Sequence, residues 1–273
     1  MKRIFIVLTL IGFVNCKEAP KKEATPETSI PESESGEKES MEMEDTEKEY
    51  PEALSQVLEA HGGLQNWKDK RTLTFTIPKP DAAETHTVDL YSRKDKIVMP
   101  TASMGSNGDT IWLMDEGDSY EGNPAVYHNL MFYFYAMPFV LADDGIVYGD
   151  AEPLEFEGKS YPGIHISYDA GIGSSPKDDY YLYYDPETHQ MAWLGYTFTF
   201  GSDEKSDDVR YIRYADWMKV DDVMLPKTLT WYDYEGSTIE DAKDSLPFEN
   251  VTLSETAKPD DFYAMPENAK EVE

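Results

Sequence analysis

Short runs of strand-forming residues, separated by Gly, Pro, Asn or Asp, recur along the chain from residue 72 to residue 253. The first run, TLTFTI at Thr72–Ile77, alternates polar and apolar side chains, which is the pattern of a strand with one buried face. Comparable runs follow at 85–91, 96–99, 110–114, 163–168, 179–184, 191–200, 209–217, 226–234 and 248–253. Because regular helices do not alternate with these runs, the chain is predicted to form antiparallel sheet rather than βαβ units.

A helix is predicted ahead of the first strand, at residues 51–61. Its face is marked by side chains at three- and four-residue spacing: Leu54, Val57, Leu58 and His61. The glycines at 62 and 63 follow as a C-cap, and a short second turn comes after them. We expect His61 to lie at this cap rather than to act in catalysis.

The segment NLMFYFYAMPFVLA, residues 129–142, is apolar on every side, although the chain as a whole has a formal net charge of -30. A helix of this kind is buried in protein or in a membrane, and about 14 residues are fewer than the roughly 20 that span a bilayer. Pro138 near its middle is expected to kink the helix or to divide it in two. We predict that the kinked helix lies across the concave face of a curved sheet.

The first 16 residues have the organisation of a bacterial lipoprotein signal. Lys2 and Arg3 precede an apolar stretch at residues 4–14, which is shorter than the roughly 20 residues of a membrane span. The stretch ends at FVNC, which resembles a lipobox, where cleavage leaves a lipidated cysteine as the new N-terminus. We therefore expect residues 1–15 to be a signal peptide and Cys16 to carry lipid, including palmitate; the alternative is a buried thiol beside an N-terminal core strand. Cys16 is the only cysteine, so no internal disulfide can form.

Residues 16–50 differ sharply in composition from residues 51–273. They are rich in Glu, Lys, Pro and Ser and contain no aromatic residue before Tyr50, so they cannot bury enough apolar surface to offset the entropy of ordering them. We expect a disordered acidic tether that begins at the lipidated cysteine. Residues 51–273 are then long enough for a single β half-barrel domain with its own core. The expected location is the cell envelope, as an outer-membrane lipoprotein facing either the periplasm or the cell surface.

Acidic clusters such as SDEKSDD continue through the domain. Nucleic acid is therefore excluded as a partner, because phosphate binding needs Lys and Arg gathered on one face. Acidic surfaces usually serve solubility, and we expect a monomer that meets the membrane only through its lipid anchor.

The chain has no HExxH, GxSxG, GxGxxG, P-loop or CxxC motif, so we expect no enzymatic activity, no cofactor and no metal. No two histidines have close metal-ligand spacing: His61, His86, His128, His165 and His189. The most concentrated acidic groups are Asp178-Asp179 after Pro176, Asp143-Asp144 and Asp169. Carboxylates offered from loops are the ligands that Ca²⁺ takes, but these segments lack EF-hand spacing, and helix capping and turn formation explain the aspartates more simply.

Three segments together, EAHGGLQNW, FYFYAMPFVLADDG and SSPKDDYYLYYDPETHQM, resemble an uncharacterised family of bacterial envelope lipoproteins. The resemblance extends over most of residues 50–266, and the general plan is similar to the lipoprotein carriers and receptors of the Lol system. It implies a mainly β (α+β) fold, in which a curved antiparallel sheet or incomplete β-barrel wraps an N-terminal helix and a kinked apolar helix. It also implies a cavity that accepts acyl chains.

Two interpretations of the apolar segment remain open: its side chains fill the core, or they line a cavity. Our hypothesis is non-enzymatic binding of a hydrophobic ligand, such as lipid or lipoprotein acyl chains, between sheet and helix. Flexible Met and amphipathic Tyr side chains suit such a site. The predicted ligand-binding residues are Trp112, Phe132, Phe134, Tyr135, Met137, Phe139, Tyr183 and Trp193. The rival hypotheses are a surface module that binds glycan or protein and a hydrolase with two carboxylates across a cleft.

Overall fold

The computed structural model describes residues 48–80, 83–168, 177–199 and 204–272. The predicted signal peptide, Cys16 and the tether up to residue 47 lie outside the described residues, as do Asp169 and Pro176. Residues Lys48–Glu273 form one compact unit with its own hydrophobic core. A unit of this size buries enough apolar surface to fold by itself.

Helices are few in the described part of the chain. Helix α1 (Glu52–Ala60) and helix α2 (Leu64–Lys68) precede the first strand, and helix α3 (Pro124–Tyr135) lies between the fifth and sixth strands. Short 3-10 helices are present at Phe139–Ala142 and Asp260–Phe262.

The described strands are all paired antiparallel. In chain order they are β1 (Thr72–Ile77), β2 (Glu84–Asp89), β3 (Asp95–Val98), β4 (Ala102–Ser106), β5 (Ile111–Asp115), β6 (Ile146–Phe156), β7 (Lys159–Tyr168), β8 (Tyr180–Tyr184), β9 (Met191–Tyr196), β10 (Arg210–Val220), β11 (Val223–Glu235), β12 (Thr238–Pro247), β13 (Glu249–Ser254) and β14 (Lys270–Val272). They form a first sheet in the order β13-β1-β2-β3-β4-β5-β14 and a second sheet in the order β12-β11-β10-β9-β8-β7-β6. Each sheet ends in two edge strands, so neither closes into a barrel.

The predicted fold class is confirmed: the chain is mainly β, antiparallel, and incompletely closed. The predicted and observed bounds of β1 agree, whereas β4, β6, β12 and β14 were not predicted. Strands β6 and β12 are the two edges of the second sheet, and the TIEDAKDSLP sequence of β12 is almost wholly exposed. An edge strand that buries neither face carries no alternation to detect.

Helix α3 begins earlier than residue 129. The Asn123 side chain accepts a hydrogen bond from the backbone N–H of Ala125 at 3.0 Å, and Pro124 occupies the first helical position. An Asn cap followed by Pro is a helix-start signal that apolarity alone does not reveal. The helix ends at Tyr135, and the 3-10 helix follows Pro138, so the expected division at this proline is confirmed.

The end of α1 is packed against the turn between β10 and β11. The carbonyl of His61 accepts a bond from the N–H of Met224 at 2.8 Å, and the next residue, Gly62, has a φ of +103°. A Cβ at Gly62 would lie 2.1 Å from the carbonyl oxygen of Asp222. Glycine is therefore required here both by backbone conformation and by the close approach of the turn.

We predict that Gly62→Ala lowers the free energy of unfolding by about 2–4 kcal/mol, because left-handed strain of about 1–2 kcal/mol adds to backbone overlap. The matched control is Gly158→Ala, since Gly158 also has a positive φ of +77° but a Cβ added there would meet nothing within 4 Å. Chemical denaturation of both variants measures the difference. Equal losses would show that the turn contact does not constrain this position.

Candidate functional site

A cavity of about 290 Å³ lies between helix α3 and the second sheet. One side of it comes from α3 and the residues just after the helix, at the three- and four-residue spacing of a single helical face. The lining residues on this side are Ala125, Val126, Asn129, Leu130, Tyr133, Phe134 and Met137. The cavity therefore follows the helix along its length.

Aromatic rings from three neighbouring strands form the opposite wall. Tyr168 ends β7, Tyr180 begins β8 and Tyr196 ends β9. The rings of Tyr168 and Tyr180 meet edge to face with centroids 5.8 Å apart. The ring of Tyr196 lies 5.1 Å from that of Phe134, so the strand wall and the helix wall meet at this pair. Beyond the strands, Thr197 and Phe198 complete the wall.

The other side of α3 is held against the first sheet by polar contacts. His128 Nδ1 lies 2.7 Å from Asp95 Oδ2, and the Tyr127 hydroxyl donates to Glu84 Oε2 at 2.6 Å. Both carboxylates are buried. Burial acts to raise the pKa of Glu84, but contacts with His86, Lys79 and Tyr127 together outweigh it and lower the pKa to about 2. These contacts hold one face of the helix against the first sheet, while the cavity lies on the side of the second sheet.

Charged groups lie at one end of the cavity. Arg93 Nη2 donates to both carboxylate oxygens of Asp143 at 2.7 Å. Burial raises the pKa of Asp143, while the Arg93 guanidinium opposes the rise. Asp144 is exposed beside this pair, and Lys48 Nζ lies 3.6 Å from it. This end presents both signs of charge.

Asp178 brings a further carboxylate to the cavity wall. Only 3% of its surface is exposed, and its Oδ1 accepts a bond from the Thr199 N–H at 2.7 Å and from the Thr197 hydroxyl at 3.3 Å. These bonds hold the carboxylate group in place.

The cavity tyrosines remain protonated at neutral pH. Burial raises the pKa of Tyr168 and of Tyr180, and the carboxylates of Asp143 and Asp178, respectively, raise it further. Neutral phenol groups can both donate and accept hydrogen bonds, so the wall is amphipathic rather than purely apolar.

Two of the predicted ligand-binding residues, Phe134 and Met137, line the cavity. Three others from the same segment are packed into the main core instead. Phe132 lies beneath the Arg93 guanidinium, with the guanidinium carbon 5.1 Å from the ring centroid. Tyr135 packs on Phe248 at 4.2 Å between centroids, and Phe139 stacks on Trp67 at 4.7 Å.

The remaining three predicted residues lie away from the cavity. Tyr183 and Trp193 pair across β8 and β9 on the opposite face of the second sheet, in a separate aromatic cluster. Trp112 lies in β5, where its indole Nε1 donates to the carbonyl of Tyr263 at 3.2 Å. These placements leave Phe134 and Met137 as the predicted residues that can touch a ligand in this cavity.

Sequence reasoning missed most of the wall. Residues Val126 and Leu130 precede Phe134 by eight and four positions, so extending the helix back to its Asn-Pro start would have revealed them. On β8 the alternation of faces separates Tyr180 from Tyr183. The sequence YYLYY offers tyrosines to both faces, and periodicity alone does not show which face is enclosed.

Other candidate chemistry is dispersed. Among the described residues, no group of three or more His, Cys, Asp or Glu side chains is arranged to hold a metal ion. His61 lies at the cap of α1 as expected, with Nδ1 2.7 Å from the Val57 carbonyl oxygen, and burial lowers its pKa to about 4. None of the helices in the part of the chain that the structure describes is both long enough and apolar enough to cross a membrane.

These features define a two-sheet antiparallel β protein whose central helix borders a cavity with an amphipathic wall. The chain belongs to the family of unknown function DUF6503, whose sequence profile matches residues 65–237, more than half of its length. The predicted membership of a family without an established activity is confirmed. A comparison with curated proteins finds no significant match.

Among solved structures, the chain is similar to a LolA-superfamily protein from Nitrosomonas europaea, with 9% identity and a TM-score of 0.47 over 78% of this chain and 96% of that chain. It is also similar to a DUF1329 family protein from Desulfovibrio piger, with 8% identity and a TM-score of 0.48 over 78% of this chain and 95% of that chain. Both TM-scores are low, so neither match bears on what this chain binds.

The position of α3 depends on a buried hydrogen bond from the second sheet. The Tyr214 hydroxyl of β10 donates to the backbone carbonyl of Phe134 at 2.6 Å. We predict that Tyr214→Phe lowers the free energy of unfolding by about 1–3 kcal/mol, because it leaves this buried carbonyl without its donor. The matched control is Tyr234→Phe, whose hydroxyl bonds to Asp208 at the surface and whose loss should cost no more than about 0.5 kcal/mol. Denaturant unfolding of both variants tests the prediction, and equal costs would contradict it.

Proposed function

We propose that this protein binds the apolar chain of an amphipathic ligand in the cavity between α3 and the second sheet. The observation that carries the proposal is the cavity itself, bordered by Val126, Leu130, Phe134 and Met137 on one side and by tyrosine rings on the other. The binding is non-enzymatic and needs no cofactor. A lipid, or the acyl chain of a lipoprotein, is a ligand of this kind.

The volume of the cavity favours one alkyl chain rather than several. About 290 Å³ lies just below the roughly 300–1,000 Å³ of small-molecule sites. Transfer of each methylene group from water to such a wall contributes about 0.8 kcal/mol. The Met137 side chain suits a ligand of variable shape, because its thioether is flexible and polarizable.

A residue substitution that fills the cavity should abolish this binding without burying a charge. We predict that Val126→Phe removes the mass excess of co-purified ligand that native mass spectrometry detects on the folded unit Lys48–Glu273. Organic extraction of the unsubstituted protein should release the same mass as lipid. The expected loss of occupancy is at least about tenfold, because a phenyl group replaces several methylene contacts of the ligand.

The matched control is Val147→Phe. Val147 is 47% exposed on the edge strand β6 and does not line the cavity, so the same substitution there should leave occupancy unchanged. The proposal would be contradicted if the unsubstituted protein had the mass of the polypeptide alone and took up no alkyl probe. The apolar helix would then serve only as core.

We further infer that the protein is held at the cell envelope by a lipid on Cys16 and that residues 1–15 are its signal peptide. The support is the FVNC sequence after a basic and apolar leader. An anchored binding domain would meet its ligand at the membrane to which it is tethered.

The anchor predicts that the full chain incorporates labelled palmitate in a bacterial host and partitions with the membrane fraction. Cys16→Ser should lose both properties, because Cys16 is the only thiol in the chain. The cavity variant Val126→Phe serves as the control that keeps the cysteine. Labelling that persists in Cys16→Ser would exclude a thiol-dependent anchor.

A further inference from the structure

The cavity lining has an excess of negative charge. Among the described lining residues, three carboxylates contribute, from Asp143, Asp144 and Asp178, against the guanidinium of Arg93; Lys48, which does not line the cavity, has its Nζ 3.6 Å from Asp144. The Arg93 guanidinium is turned towards Asp143, since Nη2 donates to both oxygens of that carboxylate, while Nη1 is buried without a hydrogen-bond partner and has almost no surface open to the cavity. Within the described lining residues, no other cationic side chain is present to pair with an anionic ligand.

The tyrosine wall has the properties of a site for a cation. Aromatic rings present a negative face that attracts ammonium groups. Tyr133, Tyr168, Tyr180 and Tyr196 all border the cavity, together with Phe134. Tyr180 pairs with Tyr196 across β8 and β9, and its ring meets that of Tyr168 with centroids 5.8 Å apart. Their phenol oxygens can also accept hydrogen bonds from N–H donors.

We propose that the polar group of the ligand is a cation, an aliphatic amine or quaternary ammonium attached to the apolar chain. This inference rests on the proposed function, since it assigns the head of the ligand whose chain occupies the same cavity. The ammonium would lie among the tyrosine rings near Asp178, and the chain would follow α3 towards Val126 and Leu130.

A fatty-acid carboxylate fits this lining less well. It would find phenol donors but would lie within reach of carboxylates whose charge it shares, and removal of a charged head from water is costly without a partner. An ammonium group finds rings, phenol oxygens and carboxylates together. An uncharged alcohol or ester head gains the hydrogen bonds but not the ionic attraction.

The test compares four ligands with one dodecyl chain: dodecyltrimethylammonium, dodecylamine, dodecanol and dodecanoate. Each displaces a fluorescent alkyl probe from the folded unit Lys48–Glu273, below the concentration at which micelles form. We expect both cations to bind at least about tenfold more tightly than dodecanoate. The affinity of dodecanol should lie between that of the cations and that of dodecanoate. The acidic surface of the protein also attracts cations without specificity. We therefore count as specific only the binding that is lost in Val126→Phe, a substitution that leaves the net charge of the protein unchanged.

The outcomes separate the two proposals. If none of the four ligands binds in a manner that Val126→Phe abolishes, the proposed function itself fails. If all four bind and dodecanoate or dodecanol equals the cations, the cavity binds apolar chains but the assignment of a cationic head is overturned. Cation binding that survives Val126→Phe would be surface association and would also overturn the assignment.

Substitutions in the wall test the head site directly. Asp178→Asn should weaken cation binding by about fivefold or more and so reduce the ratio of the affinity for the cations to the affinity for dodecanoate. The control Asp241→Asn, on the exposed strand β12, should leave this ratio of affinities unchanged. Since Asp178 also accepts bonds from the backbone, a second pair keeps the test decisive if that variant unfolds. Tyr180→Leu removes the ring and should weaken the cations more than Tyr180→Phe, which keeps it. Equal effects of the two Tyr180 variants would contradict a cation–ring contact.

Discussion

The hydrogen bond from the Tyr214 hydroxyl to the Phe134 carbonyl fixes the end of helix α3 against the second sheet. Carbonyls in the last turn of a helix have no partner within the helix, so a buried helix end needs a donor from elsewhere. Tyr214 supplies it from β10 across 80 positions of sequence. At the helix start, Asn123 caps the first turn, and His128 meets Asp95 of the first sheet. The helix is therefore held at its C-terminal end by the second sheet and along one face by the first.

A helix held in this way meets β9 at the Phe134–Tyr196 pair, and the cavity separates it from Tyr168 of β7 and Tyr180 of β8. Its face towards these strands carries small or flexible side chains, among them Ala125, Val126 and Met137, which do not reach across the gap. An apolar void inside a core costs stability because the surrounding structure relaxes only partly. The phenol groups and carboxylates of this wall distinguish the cavity from such a void, since they provide partners for a polar ligand or for solvent.

The antiparallel class and most strands could be predicted because half-buried strands have an alternating pattern, as in TLTFTI at β1. The exposed edge strand β12 could not, since it buries neither face. The apolar helix was found from its composition, and its division at Pro138 from the missing N–H of proline. The contacts of this helix could not be predicted from composition, because Phe134 and Tyr135 are adjacent aromatic residues. Only the position of the two sheets decides that Phe134 borders the cavity while Tyr135 packs in the core.

Net charge is equally uninformative about the interior of this protein. The formal charge of -30 belongs mostly to a solvated surface, where counterions and water screen it. Asp178 differs because it is buried at the cavity wall and fixed by the Thr199 N–H, so its field is screened less and has a direction. Such a carboxylate among aromatic rings favours one sign of ligand charge, whereas the same residue at the surface would favour none. The preference for one sign of ligand charge therefore depends on where the fold places Asp178, which cannot be predicted from composition.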